Sequence, residues 1–492
     1  MLDWSDWEAF CATLDIGALV PEAYARYRPA VTGGLAFFLG GLPPERTMAI
    51  LAGQAALPAE AGLDERLAAV ARQCPALHKL GQVVARDRRL PEGLRRVLQE
   101  LETMAPAQGL DELRGLIEAE LGPLAAHGVT LDEPPLAEAS VAVVVPFAWR
   151  QPGDGEGAPR RGVFKVLKPG IADRLNQELD LLQRVGAFLD ERCRTYDLPA
   201  IDYEGTFIEV RDLLRREVRL EQEQAHLAEA RAFYAGQAGV AVPEVFPALC
   251  TPRLTAMERL DGRKVTEVAA LSGAERRRLA ALIVEALLAR PLWSAGPATM
   301  FHADPHAGNL MVTTDGRLGL LDWSLVGRLS KDDRVHLSQV LLGAVRLDPH
   351  RIVGGIAGLA RGPVDEAALR RVADAGLGRL PAGGWPGLAW LTGLMDAAVT
   401  GLRLRFGGDL VMFRKVLHTL EGVVADVAPD CPVDAVLARA FATRLAMEWG
   451  ARLIAPPFAR DFPTHLSNAD LAELAMVAPQ LAAQHWLRMY RA

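Results

Sequence analysis

The spacing of apolar residues predicts a mostly helical chain with a few strands. Apolar side chains recur every three to four positions at 94–101 and at 171–189, which is the period of an amphipathic helix. Shorter apolar runs at 141–145, 162–167, 310–312 and 318–321 lie beside small-residue or polar turns, and they predict strands. The pattern therefore predicts an α+β protein.

The stretch from 301 to 328, FHADPHAGNLMVTTDGRLGLLDWSLVGR, carries the most specific pattern in the chain. Its two apolar runs are joined by Thr-Thr-Asp-Gly-Arg, a turn sequence that predicts a β-hairpin. Such a hairpin would bring Asn309 and Asp322 together. Asp304 lies five positions before Asn309, which is the D-x-x-x-x-N spacing of a kinase catalytic loop. Helices predicted at 275–288 and 331–347 bracket this stretch.

These residue types suit phosphoryl transfer. The Mg²⁺ that accompanies ATP is a hard cation and prefers carboxylate and amide oxygens. We therefore assign Asn309 and Asp322 as metal ligands, and Asp304 as the catalytic residue that orients or deprotonates the acceptor. A transition-metal site at His302 and His306 is the alternative, and we disfavour it because no third ligand has a suitable spacing.

The same stretch resembles the UbiB (AarF) family of atypical, protein-kinase-like proteins. The resemblance implies a bilobal protein-kinase-like fold of the α+β class, with a helical N-terminal extension and a helix-rich C-terminal lobe. It implies three parts: the extension at 1–125, a nucleotide-binding lobe with a helical insertion at 126–265, and a catalytic lobe with a helical tail at 266–492. No A-P-E motif follows, which argues against a regulated protein kinase.

The nucleotide-binding lobe contains a lysine in the middle of a predicted strand. Lys165 has apolar neighbours, where an ammonium is costly unless it has a function. In kinases such a lysine holds phosphates and pairs with a glutamate on a following helix. The resemblance implies that Glu223 is this partner, and we assign both residues as catalytic. It also implies that Ala137, Ala139 and Ser140 form the loop facing the phosphates.

Two residues in this lobe depart from the family pattern. Glu138 lies within the small-residue loop, where a carboxylate repels phosphates unless a cation intervenes. The family has an E-x-D on the helix of Glu223, and by this resemblance Glu217 is a further metal ligand. Arg219 stands where the family has the aspartate.

The resemblance implies four more nucleotide contacts. Lys79 and Gln82 belong to a K-x-G-Q sequence in the extension, which would fold across the active site, reach the phosphates and block a large protein substrate. The segment around Glu258 and Leu260 would bind adenine through its backbone.

The composition limits which classes of partner and which cellular compartment we expect for this protein. The net charge is −7 with both signs mixed along the chain, which argues against a nucleic-acid partner. The five cysteines are scattered and indicate reduced thiols. The first residues are acidic, unlike a signal peptide, and no stretch is apolar enough to span a bilayer. We expect a cytoplasmic protein that can contact a membrane surface peripherally.

The resulting functional hypothesis is an ATP-binding, Mg²⁺-dependent atypical kinase or ATPase. By resemblance it supports isoprenoid-lipid (ubiquinone-like) or other lipid metabolism, with a lipid or isoprenoid as a candidate ligand. The Asp-Trp pair at 322–323 also fits small-molecule phosphotransferases of the aminoglycoside and choline kinase type, which are the first alternative. A catalytically impaired nucleotide-binding scaffold, suggested by Glu138 and Arg219, is the second and predicts binding without turnover.

Overall fold

The structure is a computed structural model that describes residues 4–13, 15–84, 109–131, 133–138, 141–150, 158–199, 202–380 and 386–491. Helices predominate and the strands form small sheets, so the predicted α+β class is confirmed. The chain divides into two compact units. Unit 1 comprises Met1–Ala225 and Glu244–Arg259, and unit 2 comprises His226–Pro243 and Leu260–Ala492. The predicted three-part division at 125 and 265 stays a prediction.

The helices follow the predicted apolar periodicity where it can be compared. The stripe at 171–189 forms one long helix, and the stripe at 94–101 lies outside the described residues. The described α-helices of 9 residues or more are α1 Trp4–Thr13, α2 Arg28–Gly40, α3 Pro44–Ala55, α4 Leu63–Gln73, α5 Pro75–Val84, α6 Leu110–Leu121, α7 Ile171–Arg192, α8 Tyr203–Leu214, α9 Leu220–Tyr234, α10 Gly273–Val284, α11 Lys331–Val345, α12 Pro349–Leu359, α13 Glu366–Gly378, α14 Leu388–Asp396, α15 Gly408–Val427, α16 Val433–Arg452 and α17 Asn468–Arg491.

The strands are short, and all four predicted runs are found among them. They are β1 Val129–Thr130, β2 Ala137–Glu138, β3 Ala142–Trp149, β4 Arg160–Leu167, β5 Val240–Ala241, β6 Leu254–Glu258, β7 Gly262–Lys264, β8 Ala298–His302, β9 Leu310–Thr313, β10 Leu318–Leu320 and β11 Val326–Ser330.

Unit 1 contains an antiparallel sheet in the order β1-β3-β4-β6, with β2 also paired to β3. Its core includes stacked Phe147 and Phe164 rings, whose centroids are 4.1 Å apart, and the buried Phe246. Because β4 has a neighbour on each side, its backbone is paired along both edges. The backbone position from which each β4 side chain extends is therefore fixed.

Helices α1 to α5 of unit 1 pack with α7 and α8 around a second core. A buried ion pair links two of these helices. Arg46 of α3 contacts Glu178 of α7, and Glu178 is fully buried. The same carboxylate accepts the N–H of Ala76 in the first turn of α5 at 2.8 Å. Burial raises the pKa of Glu178, while the Arg46 contact opposes that rise. The carboxylate thereby fixes α5, which carries Lys79.

Unit 2 is organised around the predicted hairpin. Strands β9 and β10 are antiparallel, β5 pairs parallel to β10, and β7 pairs antiparallel to β9. The turn contains Gly316 at φ 83°, a conformation that favours glycine. A separate antiparallel pair joins β8 and β11. The predicted flanking helices are confirmed as α10, which continues through a π-helical turn at Glu285–Ala289, and α11.

Candidate active site

The hairpin of unit 2 brings Asn309 and Asp322 together as the sequence predicts. Leu310 pairs with Leu320, and the Leu321 N–H donates to the Asn309 carbonyl at 2.9 Å. Asp322 is the next residue after Leu321, so it lies close to Asn309. The Asn309 Nδ2 donates to the Asp304 carbonyl at 3.1 Å. Because the amide nitrogen is used in this bond, its oxygen is the atom suited to a cation. The three residues of the catalytic pattern therefore lie in one place.

Asp322 has an unusual backbone conformation. Its φ is 51°, in the left-handed region that costs most L-residues about 1 kcal/mol or more and that Asp and Asn tolerate best. Its Oδ1 accepts the Ser324 N–H at 3.2 Å. Strain of this kind persists only where the surroundings impose it, and it is common at functional sites. The carboxylate of Asp322 is therefore fixed in direction.

Trp323 anchors the segment after Asp322 in the core of unit 2. The indole is fully buried and its Nε1 donates to the Leu320 carbonyl at 3.2 Å. Its backbone carbonyl contacts His226 Nδ1 at 3.1 Å, and its ring lies 4.7 Å from the His302 ring. Where a protein kinase has D-F-G, this segment reads Asp322-Trp323-Ser324, and without the glycine its backbone is expected to be rigid. The buried Trp323 supplies a physical cause for that rigidity.

His302 links the catalytic loop to the segment that carries Asp322. It is 1% exposed; its Nδ1 accepts the Asp304 N–H at 3.2 Å, and its Nε2 lies 2.9 Å from the Leu321 carbonyl. Since Nδ1 is an acceptor, the ring is neutral with its proton on Nε2. Burial lowers the pKa of His302, although the Leu321 carbonyl and the carboxylates of Asp304 and Asp322 oppose that shift. The sequence analysis considered His302 only as a metal ligand and missed this role.

Among the residues that the structure describes, no group of three His, Cys, Asp or Glu side chains could hold a metal ion. The sequence analysis disfavoured a transition-metal site at His302 and His306. The bonds of His302 agree with that judgement, because both ring nitrogens are used within the protein.

The Asp304 carboxylate lies beside two basic groups. Its Oδ1 is 3.0 Å from Lys415 Nζ, and its Oδ2 is 3.6 Å from His306 Nε2. Lys415 belongs to α15, and 111 residues separate it from Asp304. The sequence analysis did not identify Lys415, because no local pattern relates it to the catalytic loop.

In unit 1, Lys165 and Glu223 form the ion pair that the family resemblance implies. The ammonium of Lys165 on β4 is 2.7 Å from both carboxylate oxygens of Glu223 on α9, and the two side chains are 12% and 4% exposed. The neighbouring Gln224 holds α9 to the sheet, because its Nε2 donates to the Leu254 carbonyl and to the Thr255 hydroxyl. Thr255 is paired opposite Lys165. A buried ion pair of this kind adds little to the net stability of a fold, but it fixes the positions of both side chains.

Glu138 in the small-residue loop also has a cationic partner. It is 7% exposed on β2, and its Oε1 lies 2.6 Å from Nζ of Lys168, the residue after β4. This contact neutralises the carboxylate that the sequence analysis considered repulsive towards phosphates. Ala137 begins β2 and is exposed, whereas Ala139 and Ser140 lie outside the described residues. The sequence analysis did not identify Lys168 as a partner.

The sequence analysis was wrong to place Glu217 on the helix of Glu223. Glu217 belongs to a short 3₁₀ turn, Arg215–Val218, and α9 begins only at Leu220. Arg219 has non-helical backbone angles of φ −99° and ψ 73°, so it interrupts the helical geometry between the two acids. The predicted metal-binding role of Glu217 stays a prediction.

A pocket of about 650 Å³ lies at the start of α9. Arg219, Lys168 and Arg253 line it together with Asp173 and Glu221, so its charged groups are of mixed sign. This pocket therefore shows no clear preference for an anionic ligand.

The remaining predicted nucleotide contacts are only partly described. Lys79 lies half-buried on α5, whereas the side chain of Gln82 lies outside the described part. The Glu258 N–H donates to the Glu244 carbonyl at 2.7 Å, so adenine would have to use other backbone groups there. Leu260 begins the second of the two stretches of sequence that form unit 2. The roles of these residues stay predictions.

Comparison with solved structures defines the class of the fold. The chain is similar to the structure titled "The complex structure of Rv3197-erythromycin from Mycobacterium tuberculosis", with a TM-score of 0.50 and 19% identity, over 72% of this chain and 89% of that one. This likeness concerns the fold alone, and a sequence match to an atypical kinase-like domain places the fold in the protein-kinase-like class, as the sequence predicts.

The family follows from the sequence comparisons. Residues 100–354 match the model of the ABC1 atypical kinase-like domain, and the chain belongs to this family. It is 26% identical to "Probable protein kinase UbiB" of Xanthomonas axonopodis pv. citri (strain 306) over 434 residues, which cover 84% of this chain and 75% of that protein. The protein of the same name from Azotobacter vinelandii is 30% identical over 319 residues, covering 61% and 56%. The family predicted from the sequence is confirmed.

Proposed function

We propose that this protein is an atypical kinase or ATPase that binds ATP with Mg²⁺. The observation that carries the proposal is the hairpin: the Leu321 N–H donates to the Asn309 carbonyl, so Asp322 lies one residue beyond that bond, and the Asn309 Nδ2 donates to the Asp304 carbonyl. It supports a site in which the amide oxygen of Asn309 and the carboxylate of Asp322 would hold the cation. These are hard oxygen donors of the type that Mg²⁺ prefers. A bound Mg²⁺ would supply positive charge to neutralise the phosphates.

Each residue has a specific part in the proposed reaction. Lys165, held by Glu223, binds phosphate oxygens, and Asn309 and Asp322 hold the cation. Asp304 orients the acceptor hydroxyl or water and takes its proton as the acceptor oxygen bonds to the γ-phosphorus. The bond between the γ-phosphorus and its bridging oxygen breaks, and ADP leaves with that oxygen. Transfer to water is ATPase activity, and transfer to an organic hydroxyl is kinase activity.

The alternatives predict different products. A small-molecule phosphotransferase, favoured by Trp323 after Asp322, would form an organic phosphate ester. A nucleotide-binding scaffold would leave ATP intact, and the contact of Glu138 with Lys168 removes one of the two reasons for this alternative. Family membership is the ground on which we propose a role in isoprenoid-lipid or other lipid metabolism.

The deciding experiment follows the γ-phosphate of labelled ATP with the full chain, Mg²⁺ and added lipid or detergent. We compare the wild type with Asp304→Asn, which keeps the size of the side chain and removes its basic oxygen. Released phosphate or a labelled product that the variant does not form supports the proposal. Intact ATP that still raises the melting temperature supports the scaffold and contradicts the enzyme.

Contact with a lipid surface is a separate part of the proposal. No helix within the described ranges is long and apolar enough to cross a membrane. The segment 446–458, which we call the apolar segment, nevertheless exposes only uncharged residues to solvent. Its most exposed large side chains are Ile454 at 90% and Phe458 at 80%, with Trp449 and Leu453 beside them. An exposed apolar patch of this kind marks an interaction site.

The two charged residues in the apolar segment are turned inward. Glu448 and Arg452 are both buried and paired at 2.5 Å, and Arg452 also donates to Thr464 and to the Leu466 carbonyl. The fold therefore buries charge and holds apolar side chains outward. These side chains are highly exposed, and a fluid lipid interface accommodates them without a matching cavity in the partner. Trp and Phe are among the residues that enter such interfaces.

Vesicle flotation tests this contact directly. We expect Ile454→Glu with Phe458→Glu to weaken binding to lipid vesicles at least about tenfold, because each charge opposes insertion. The matched control is Met48→Glu with Leu136→Glu, which adds the same charge at exposed apolar positions of unit 1. Equal binding by both variants and the wild type would rule out the apolar segment as the lipid contact.

A further inference from the structure

Lys415 forms a hydrogen-bonded ion pair with Asp304, the proposed catalytic carboxylate. Its Nζ lies 3.0 Å from Asp304 Oδ1, whereas His306 Nε2 is 3.6 Å from Oδ2. The Lys415 side chain is 45% exposed and that of Asp304 is 27% exposed. An ion pair with this much solvent access contributes little to stability, so stability does not explain its presence.

The core of unit 2 fixes the place of Lys415. Phe413, Val416 and Leu417 of α15 are fully buried, which turns the intervening Lys415 outward from the core. The Phe413 ring packs edge-on against Phe301 of β8, with centroids 5.4 Å apart. Since Phe301 lies three residues before Asp304, the same contact positions both the helix and the catalytic loop.

A second contact ties the beginning of α15 to the same strand pair. The Arg328 N–H of β11 donates to Asp409 Oδ1 at 3.0 Å, and β11 is paired with β8. The helix is thus fixed at two points, near its start and at Phe413. These two contacts join the helix that carries Lys415 to the strand pair that leads to Asp304.

The other basic residues on this face of α15 have a different partner. Arg414 and His418 both contact the carboxylate of Asp396, at 2.8 Å and 3.0 Å. Asp396 ends α14, so these two side chains are paired with a different helix. Among the described residues, Lys415 is the side chain of α15 that bonds to Asp304.

We propose that Lys415 is a positioning residue for Asp304: its ammonium holds one carboxylate oxygen and so fixes the orientation of the group that receives the acceptor proton. This inference rests on the proposed function. Misplacement of a reacting group by about 1 Å can cost roughly a hundredfold in rate. Loss of the ammonium should therefore lower kcat while changing the affinity for nucleotide much less.

The test uses Lys415→Met and Lys415→Arg in the full chain, with Mg²⁺, ATP and γ-phosphate release or transfer as the readout. We expect Lys415→Met to lower kcat by about 10- to 100-fold, to change the KM for ATP less than about threefold, and to shift the melting temperature by no more than about 2 °C. Lys415→Arg should restore at least about a third of the wild-type kcat, because a guanidinium can also donate to Asp304.

The matched control is Lys331→Met. Lys331 also forms an ion pair with an aspartate distant in sequence, Asp461, and its side chain is 38% exposed. This variant should keep wild-type kcat and KM. A combined Asp304→Asn, Lys415→Met variant should be no slower than Asp304→Asn alone, because Lys415 acts through Asp304.

The outcomes separate this inference from the proposed function. If the wild type turns over ATP and Lys415→Met behaves like Lys331→Met, the positioning role is wrong and the enzyme stands. If Lys415→Met is faster than the wild type, the ammonium blocks the carboxylate and the inference is also overturned. A wild type without turnover overturns both. If Lys415→Met unfolds, the kcat of Lys415→Gln relative to Lys415→Arg decides in the same way.

Discussion

Protonation of His302 should weaken unit 2 as the pH falls. Burial lowers the pKa of His302 below its ordinary value of 6.5. Below that pH the unfolded chain therefore binds a proton at His302 more readily than the folded chain does. The contribution of neutral His302 to the free energy of unfolding is therefore present above pH 6.5 and is lost as the pH falls below it. The geometry gives the reason: a proton on Nδ1 would face the N–H of Asp304, which that nitrogen now accepts.

The magnitude follows from the linkage between protons and folding. If His302 stays neutral in the folded protein, lowering the pH from 7.5 to 5.5 costs up to about 1.4 kcal/mol for a group with an unfolded pKa near 6.5. His302→Gln should remove this loss because an amide does not titrate. The variant should also be about 1–2 kcal/mol less stable at pH 7.5, since a Gln side chain cannot satisfy both Asp304 and Leu321.

Urea unfolding of the wild type and of His302→Gln at pH 7.5 and at pH 5.5 measures the difference. His465 must be allowed for, because burial lowers its pKa to about 4 and it contributes over the same pH range. It is present in both proteins and cancels in the comparison. The control His350→Gln, at an exposed position of α12, should keep the wild-type pH dependence. An equal loss of stability in His302→Gln and the wild type would refute the reasoning.

Three further predictions concern buried or strained acids. Lys165→Met should lower the free energy of unfolding by about 3 kcal/mol in a urea titration, because Glu223 stays buried without its ammonium, and adding Glu223→Leu should recover most of the loss. Asp322→Ala should be about 1 kcal/mol less stable than Asp322→Asn, since alanine tolerates a φ of 51° poorly; both should lose Mg²⁺-dependent turnover, and equal stabilities would contradict the strain. Arg452→Met should lower the free energy of unfolding by about 3–5 kcal/mol in thermal or urea unfolding, because Glu448 would stay buried without its cationic partner. A decrease below about 1 kcal/mol would show that the pair is not buried in solution.

Local sequence patterns were sufficient where one segment decides the structure. The hairpin that joins Asn309 to Asp322 depends on two apolar runs and a five-residue turn, all within fourteen positions of sequence. The helix α7 likewise follows from a single apolar stripe. Lys165 was identified from its apolar neighbours in a predicted strand, whereas its pairing with Glu223 came from the family resemblance, since nothing local links residues 58 positions apart.

The family resemblance was misleading where the helix is interrupted. It placed Glu217 on the helix of Glu223. The non-helical backbone at Arg219 separates the two acids, and composition alone does not mark such a break.

By itself, the sequence determined the α+β class, the family and the place of the catalytic loop, because these depend on short-range periodicity, turn residues and spacing. Only the tertiary structure decided which charges meet: Lys415 with Asp304, Lys168 with Glu138, and Glu448 with Arg452 turned inward. His302 shows the same division, since its place beside Asp304 is local but its burial and its bond to Leu321 are not. The physical reason is that an ion pair and a pKa depend on distance and solvent exposure, and folding sets both by packing segments that are remote in sequence.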